Sequence, residues 1–122
     1  MRVALLLLGL LASACSKSSD PAVVAAWKKE GLQTTEMQKI EDKQLGGSCR
    51  AGLVGGLEVT LCEYADESAA KAAEEKGLAL IGEATGASLA EGKWLLVVAD
   101  RRRLDPDGKT LNQITRAFRQ PR

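Results

Sequence analysis

The chain has no histidine, the side chain that most often serves as a general base and as a metal ligand. A serine nucleophile would therefore have no histidine partner to activate it. Aromatic residues are scarce as well: two tryptophans, one tyrosine and one phenylalanine. We expect a core of leucine, valine, isoleucine and alanine, with no metal site, no cofactor and no enzymatic activity.

Long apolar runs are also missing, because a bilayer span takes about twenty residues and the N-terminal run Val3–Leu11 has nine. Arg2 precedes this run, three small residues follow it, and Cys15 comes next. That order of charge, apolar run and small residues is typical of a secretory signal. A buried hydrophobic helix is the alternative, and the polar residues directly after Cys15 disfavour it.

The segment Leu11-Ala12-Ser13-Ala14-Cys15 resembles the lipobox of bacterial lipoproteins. It departs from the usual pattern at Ala12, where leucine is preferred. The resemblance implies removal of residues 1–14, a diacylglyceryl group on the Cys15 thiol and acylation of the new amine. Several acyl chains together give stable membrane attachment. Simple cleavage near Ala14, with Cys15 left free, is the alternative.

The resemblance also bears on location. In enteric-type lipoproteins, a residue other than aspartate after the cysteine directs the protein to the outer membrane, and Ser16 stands there. We therefore expect an exported protein, anchored in the cell envelope and facing the periplasm from the outer membrane rather than the inner one. Residues 15–19 form the lipidated cysteine and its tether, and residues 20–122 form one globular domain.

Cys49 and Cys62 are predicted to form a disulfide, because an exported chain lies where disulfides persist. Between them, Gly55-Gly56 separates two strand-like runs, as in a two-residue hairpin turn. Pairing outward from that turn puts the two cysteines directly opposite each other, with Cα atoms about 4.5 Å apart. Two free thiols are the alternative. A redox role is disfavoured because the chain has no C-x-x-C spacing.

The alternation of the hairpin predicts which side of the sheet the disulfide occupies. One face carries Val54, Val59 and Leu61, which we expect to enter the main core. The cysteines share the other face with the mixed set Ala51, Leu53, Glu58 and Thr60. The disulfide is therefore predicted to brace the less apolar side without deep burial.

Three helices are predicted from aspartate caps and from stripes of apolar residues. Trp94–Ala99 is an unbroken apolar run, which predicts a strand covered on both faces. Residues 78–81 are predicted as a strand, residues 82–92 as either a loop or a short strand near 87–90, and residues 32–44 stay unassigned. The helices run from Asp20-Pro21 to Gly31, from Asp66 to Lys76 with Gly77 as the closing residue, and from Asp105-Pro106 through Leu111, Ile114 and Phe118.

Two local motifs resemble ligand sites and fail on spacing. Gly108-Lys109-Thr110 ends like a phosphate-binding loop, but Arg103 stands where the earlier glycine would be needed. Asp105-Pro106-Asp107-Gly108 is similar to the start of a calcium loop, but its glycine has the wrong offset and no closing glutamate follows. We expect helix capping there.

The charge is unevenly distributed along the chain. Residues 101–122 contain seven basic and two acidic side chains, a net charge of +5, whereas residues 15–100 contain nine and fourteen, a net charge of −5. The basic residues are either a solvated loop and helix face, or a contact surface for anionic head groups, envelope polysaccharide or an acidic protein. Nucleic acid is not expected outside the cytoplasm. The candidate contact residues are Arg101, Arg102, Arg103, Arg116 and Arg119.

These patterns predict a single small two-layer α+β domain, with helices packed on an antiparallel sheet of four or five strands. We expect a membrane-anchored envelope lipoprotein that acts as a non-catalytic interaction or structural module, with an envelope protein or an anionic envelope component as its partner. The alternative is a module that binds a small ligand in an apolar pocket near Trp94 or Trp27.

Overall fold

A computed structural model describes residues 21–120, so the predicted signal peptide, Cys15 and the tether lie outside the described residues. The described chain forms four helices and five strands. In chain order they are α1 (Ala22–Lys29), β1 (Gln38–Ile40), β2 (Ser48–Val54), β3 (Leu57–Glu63), α2 (Glu67–Ala72), α3 (Glu74–Ile81), β4 (Thr85–Glu91), β5 (Trp94–Asp100) and α4 (Lys109–Arg119).

The five strands form one antiparallel sheet in the order β1-β2-β3-β5-β4. Strands β2 and β3 meet at the predicted Gly55-Gly56 turn, where both residues have positive φ, a conformation that glycine adopts without steric strain. Their register pairs Cys49 with Cys62, as the sequence predicts. The α+β class, the antiparallel sheet and the disulfide across the hairpin are confirmed.

Helices cover both faces of this sheet. Leu57, Val59 and Leu61 of β3 enter a first cluster with side chains of α1 and α4. Cys62 of β3, together with Leu95 of β5, enters a second cluster with side chains around α3. The predicted burial of β5 on both faces is confirmed. The domain therefore has three layers where two were expected, because a second pair of helices covers the face that looked less apolar.

Residues 78–81 are helical, so the predicted strand there is wrong. They form the second half of α3, since a short apolar run fits a buried helix as well as a strand. Gly77 does not close a helix either, because it is a buried residue inside α3. A Cβ atom at Gly77 would lie 2.8 Å from Val97 Cγ2 and would collide with Ser88 Oγ. Glycine therefore lets α3 approach the sheet closely.

Strand β4 resolves the alternatives for residues 82–92 in favour of a strand, and it is longer than the segment 87–90. It forms an edge of the sheet beside β5. The Ala90 backbone N–H donates to Glu74 Oε2 at 2.7 Å, and Ser88 Oγ donates to the Glu74 carbonyl oxygen at 2.8 Å. Glu74 therefore covers part of an edge that would otherwise expose unpaired backbone groups.

Helices α1 and α4 run antiparallel on the first face. Trp27 Nε1 donates to the Ile114 carbonyl oxygen at 3.0 Å, and Leu32 and Thr110 both border Gly55. The last residues of α1 therefore lie beside the first residues of α4. We call the end that contains the Gly55-Gly56 turn the hairpin end, and the end where α1 begins and α4 finishes the Ala22 end.

The boundaries of α1 match the prediction closely. The helix begins at Ala22, with Pro21 as its N-cap residue, and Asp20 lies outside the described residues. At the other end, the Leu32 backbone N–H donates to the Trp27 carbonyl and the Gly31 N–H donates to the Lys28 carbonyl. This pair of bonds with a positive φ at Gly31 is the Schellman arrangement, so the predicted closing glycine is confirmed.

Candidate functional site

The Cys49–Cys62 disulfide joins directly opposed residues whose Cα atoms are 4.0 Å apart. The prediction that it lies on a lightly covered side is wrong, because the two residues are only 2% and 0% exposed. Ala73 and Ile81 of the second helical layer and Leu95 of β5 pack in the same cluster. The disulfide is a buried part of the core and has no access to solvent.

Tyr64 packs at the margin of that cluster. Its hydroxyl donates to the Leu45 carbonyl oxygen at 2.8 Å. Burial, assisted by the negative charge of Asp42, raises the pKa of the Tyr64 hydroxyl above its ordinary value. A phenol is protonated at neutral pH even at its ordinary pKa of about 10, so the hydroxyl is available as this donor.

Arg101 is held by three acceptors within the domain. Its Nε donates to Glu58 Oε1 at 3.0 Å, its Nη2 to the Leu80 carbonyl oxygen at 2.8 Å and its Nη1 to the Ile81 carbonyl oxygen at 3.3 Å. The two carbonyls belong to the last residues of α3. A cation is stabilised there by the negative end of the helix dipole. Of the predicted contact residues, Arg101 thus has a structural role in tying α3 to the sheet.

Arg102 and Arg103 are exposed in the connection from β5 to α4. This connection lies at the hairpin end, since β5 ends where β3 begins. Arg103 has a φ of 57°, a left-handed conformation that is uncommon for a residue other than glycine. Within the predicted arginine triplet, these two side chains face solvent and have no side-chain hydrogen bond to an acceptor in residues 21–120.

Arg116 and Arg119 lie at the Ala22 end, in the last turn of α4. Helix α4 has 11 residues, and at about 1.5 Å per residue the helix is about 16 Å long. The structure therefore separates the predicted basic residues into two groups, at opposite ends of α4. They do not form one continuous patch.

Asp100 and Asp105 fix the chain between β5 and α4, and of the two only Asp105 is a predicted capping residue. Asp100 accepts hydrogen bonds of 2.9 Å from the backbone N–H groups of Leu104 and Asp105. Asp105 in turn accepts from the N–H groups of Thr110 and Leu111 at 3.0 and 2.9 Å. The predicted helix start at Asp105-Pro106 is wrong, because α4 begins at Lys109 with Gly108 as its N-cap residue. The expected capping role of Asp105 remains, since its carboxylate reaches across the intervening turn to backbone N–H groups in the first turn of α4.

A cleft of about 870 Å³ lies against this connection. Its lining includes Asp100 and Asp105, whose carboxylates already accept backbone hydrogen bonds, and Asp107, whose carboxylate accepts from the Lys109 backbone N–H. In residues 21–120 we find no cluster of three or more potential metal-ligating side chains. The acidic residues of this cleft organise the loop and the start of α4.

The two tryptophans occupy different environments. Trp27 is fully buried in the first cluster, where its indole N–H is hydrogen-bonded. Trp94 is partly buried and packs against the same cluster. A shallow groove of about 510 Å³ near the end of α1 is lined by Lys28, Leu32 and neighbouring residues, and Trp27 does not reach it. Trp27 serves as a core residue.

Three lysines that were not among the predicted contact residues join the arginines of α4. Helices α1 and α4 contain no aspartate or glutamate, and each exposes cations to solvent. The signal was available in the sequence as two amphipathic helices without an acidic residue. We call this exposed set the basic layer; it comprises Lys28, Lys29, Lys109, Arg116 and Arg119.

The helices on the other face carry the opposite charge. Helices α2 and α3 contain three glutamates and two lysines, and Lys71 is paired with Glu74 at 3.4 Å. The flanking residues extend the contrast, since Asp66 and Glu83 border this layer. Glu30 and Asp107 border the basic layer and reduce its charge without cancelling it. The domain therefore has one basic and one acidic helical face.

Comparison of the chain with protein-family models, with curated proteins and with solved structures finds no match. Among residues 21–120, every helix is too short or too polar to cross a membrane.

Proposed function

We propose that this chain is an exported lipoprotein, attached to the cell envelope by acyl chains on Cys15. Its folded domain is a non-catalytic interaction module that the segment 15–19 holds near the membrane. The outer membrane, with the domain facing the periplasm, is the proposed location. The proposed export and anchoring are based on the N-terminal sequence pattern, in which Arg2, an apolar run and three small residues precede Cys15.

The observation that carries the proposal is the buried Cys49–Cys62 disulfide. Such a bond forms and persists in the periplasm and other oxidising compartments, whereas cytosolic thiols are kept reduced. Two of the three cysteines are thereby paired, which leaves Cys15 as the remaining thiol. A signal that ends at that cysteine and a domain with a structural disulfide are consistent with one export route.

The use of charged groups supports an interaction module. The buried carboxylates of Asp100 and Asp105 hold backbone N–H groups, and Arg101 holds the end of α3. Their hydrogen bonds serve the fold, whereas the exposed cations of α1 and α4 lie on a helical surface. Surfaces of this kind suit recognition of an anionic partner better than they suit chemistry in a cleft.

The test is to compare the parent protein with a Cys15→Ser variant in cells supplied with labelled palmitate. We expect the parent to carry the label and to remain in the membrane fraction, and the variant to lose both properties. Alkylation in denaturant without a reductant should leave Cys49 and Cys62 unmodified in both proteins, because a disulfide stays closed when the buried residues are exposed; this result indicates export to an oxidising compartment. A parent protein without label, or a variant that stays in the membrane pellet, would show that the lipoprotein assignment is incorrect.

A further inference from the structure

We propose that the basic layer rests on the anionic phospholipid surface to which the protein is anchored. This inference rests on the lipoprotein function proposed above and adds the partner and the orientation of the domain. The supporting juxtaposition is between two features of α1. First, α1 belongs to the layer whose two helices expose five cations and contain no acidic residue. Second, the short segment from Cys15 to Asp20 lies just before Pro21 and α1 in the chain.

The exposed polar side chains of α4 lie along one side of that helix, where an external surface can contact them together. On α4, Lys109, Asn112, Arg116 and Arg119 are exposed and follow one another at intervals of three or four residues, which places them on one side of the helix. Lys28 and Lys29 extend the same layer on the neighbouring α1. Within residues 21–120, the side chains of the basic layer form no ion pair. Their charge is available to an external anion.

The length of chain before α1 limits how far this layer can lie from the bilayer. Six residues, Cys15 to Asp20, separate the acylated position from Pro21. Even a fully extended segment of that length spans only about 20 Å. The α1 and α4 layer can therefore reach the surface by tilting as a rigid body. The acidic face formed by α2 and α3 lies on the far side of the sheet.

Weak attraction is sufficient for this contact because the anchor holds the domain in place. A basic side chain near an anionic membrane contributes roughly fivefold to binding affinity. A short tether raises the effective concentration of the surface to the order of millimolar or higher. A soluble polysaccharide or acidic protein would bind without that advantage. Phospholipid is therefore the anionic partner that the geometry favours.

The experiment uses the acylated full-length protein in vesicles of pure phosphatidylcholine or in vesicles that also contain phosphatidylglycerol. An amine-reactive reagent then measures the modification rate of each lysine by mass spectrometry. Lys28, Lys29 and Lys109 should react roughly fivefold more slowly, or slower still, in the anionic vesicles only. Lys71 and Lys76, on the opposite layer, are internal controls whose rates should not change. High salt should remove the protection because it screens exposed charges.

Matched variants distinguish an effect of the basic layer from an effect of the total charge of the protein. The double change Arg116→Ser and Arg119→Ser should weaken docking roughly 25-fold and abolish protection of the three lysines. The double change Lys71→Ser and Lys76→Ser removes the same charge from the other layer and should preserve that protection. Melting curves of both variants establish that each is folded.

Several outcomes would overturn the proposal. They are equal protection of both sets of lysines, equal protection in neutral vesicles, and equal loss of protection in the two double variants. Protection by an acidic polysaccharide but not by anionic vesicles would assign the surface to a different partner and would also overturn it. Failure of the lipoprotein assignment is a separate result, since a protein without acyl chains would not stay with neutral vesicles. Flotation of the Cys15→Ser protein with concentrated anionic vesicles then tests the surface alone.

Discussion

The two helical layers cover the sheet in different ways. Helices α1 and α4 place large side chains on it, and Trp27, Ile114 and Phe118 are each at most 1% exposed. Helices α2 and α3 contribute small residues, including Ala70 and the buried Gly77, so their backbone lies close to the strands. The first layer obtains its packing from side-chain volume, and the second obtains it from close approach.

The difference has consequences for both sides of the domain. Close approach by α3 seals the Cys49–Cys62 disulfide inside a cluster of mostly small and aliphatic side chains. On the other face, the contacts with the sheet are made by apolar residues, and the outward positions of α1 and α4 are free to carry charge. Because the apolar residues of α1 and α4 already contact the sheet, these helices can expose the five cations of the basic layer without loss of the core.

The largest effect should come from removing volume in the first layer. Trp27→Ala should lower the free energy of unfolding by about 3–5 kcal/mol, because it deletes a fully buried side chain and leaves a cavity. Trp27→Phe keeps most of the volume but removes the donor to the Ile114 carbonyl, and should cost about 1–3 kcal/mol. Urea unfolding followed by far-UV circular dichroism measures both.

Leu78→Ala is the control for that series, because Leu78 belongs to the other layer and is 54% exposed. It should change the free energy of unfolding by less than about 1 kcal/mol. If Trp27→Ala cost no more than Leu78→Ala, side-chain volume would not be what holds the first layer in place.

A smaller change in the free energy of unfolding is expected from a glycine-to-alanine substitution in the second layer, and its sign should be opposite to the usual one. In an open helix, replacing glycine with alanine stabilises by about 1 kcal/mol. At Gly77 the new methyl group would meet Val97 and Ser88, so Gly77→Ala should instead destabilise by about 1–2 kcal/mol. The reverse change at an exposed position of the same helix, Ala79→Gly, should show the ordinary propensity cost of about 1 kcal/mol.

A double-variant cycle with Ser88→Ala sharpens this test. Without the Ser88 hydroxyl, part of the collision is relieved, and Gly77→Ala should cost about half as much in that background. Thermal unfolding of the four proteins provides the comparison. Stabilisation by Gly77→Ala in the parent background would mean that α3 does not lie as close to the sheet as the structure shows.

The hairpin was predictable because its determinants are local. The Gly55-Gly56 turn sets the register, and alternation then places Cys49 opposite Cys62. The depth of the disulfide was not predictable from the same residues. Glu58 and Thr60 made that face look partly polar. Its burial depends on residues outside the hairpin, including Ala73 and Ile81 of the second helical layer.

Other differences have the same origin in tertiary contacts. Residues 78–81 are apolar enough for a strand, and only the close approach at Gly77 distinguishes the helix. The three consecutive arginines after β5 look equivalent in the sequence, yet Arg101 alone among them reaches Glu58 and the end of α3. The lack of acidic residues in α1 and α4 can be seen in the sequence, but no local pattern shows that these two helices are neighbours and that their cations form one layer.

The smallest expected change in the free energy of unfolding distinguishes Arg101 from its neighbour Arg102. Arg101→Gln should lower the free energy of unfolding by about 1 kcal/mol, because it removes the pairing with Glu58 and the charged donors to the Leu80 and Ile81 carbonyls. The side chain is 45% exposed, so solvent screening keeps the value modest. For a domain of this size the melting temperature should fall by roughly 4–8 °C.

Arg102→Gln is the matched control, because it removes the same charge from an exposed position of the same loop and should stay within about 0.5 kcal/mol of the parent. Glu58→Gln measures the contribution of the ion pair by itself, since it weakens the contact with Glu58 and leaves both carbonyl acceptors of Arg101 in place. High salt should reduce the contribution of the ion pair and preserve most of the contribution of the carbonyls, which are short-range hydrogen bonds. Melting temperatures that are equal for Arg101→Gln and Arg102→Gln would show that Arg101 does not hold α3 to the sheet. Both residues would then belong with the solvated charges at the hairpin end.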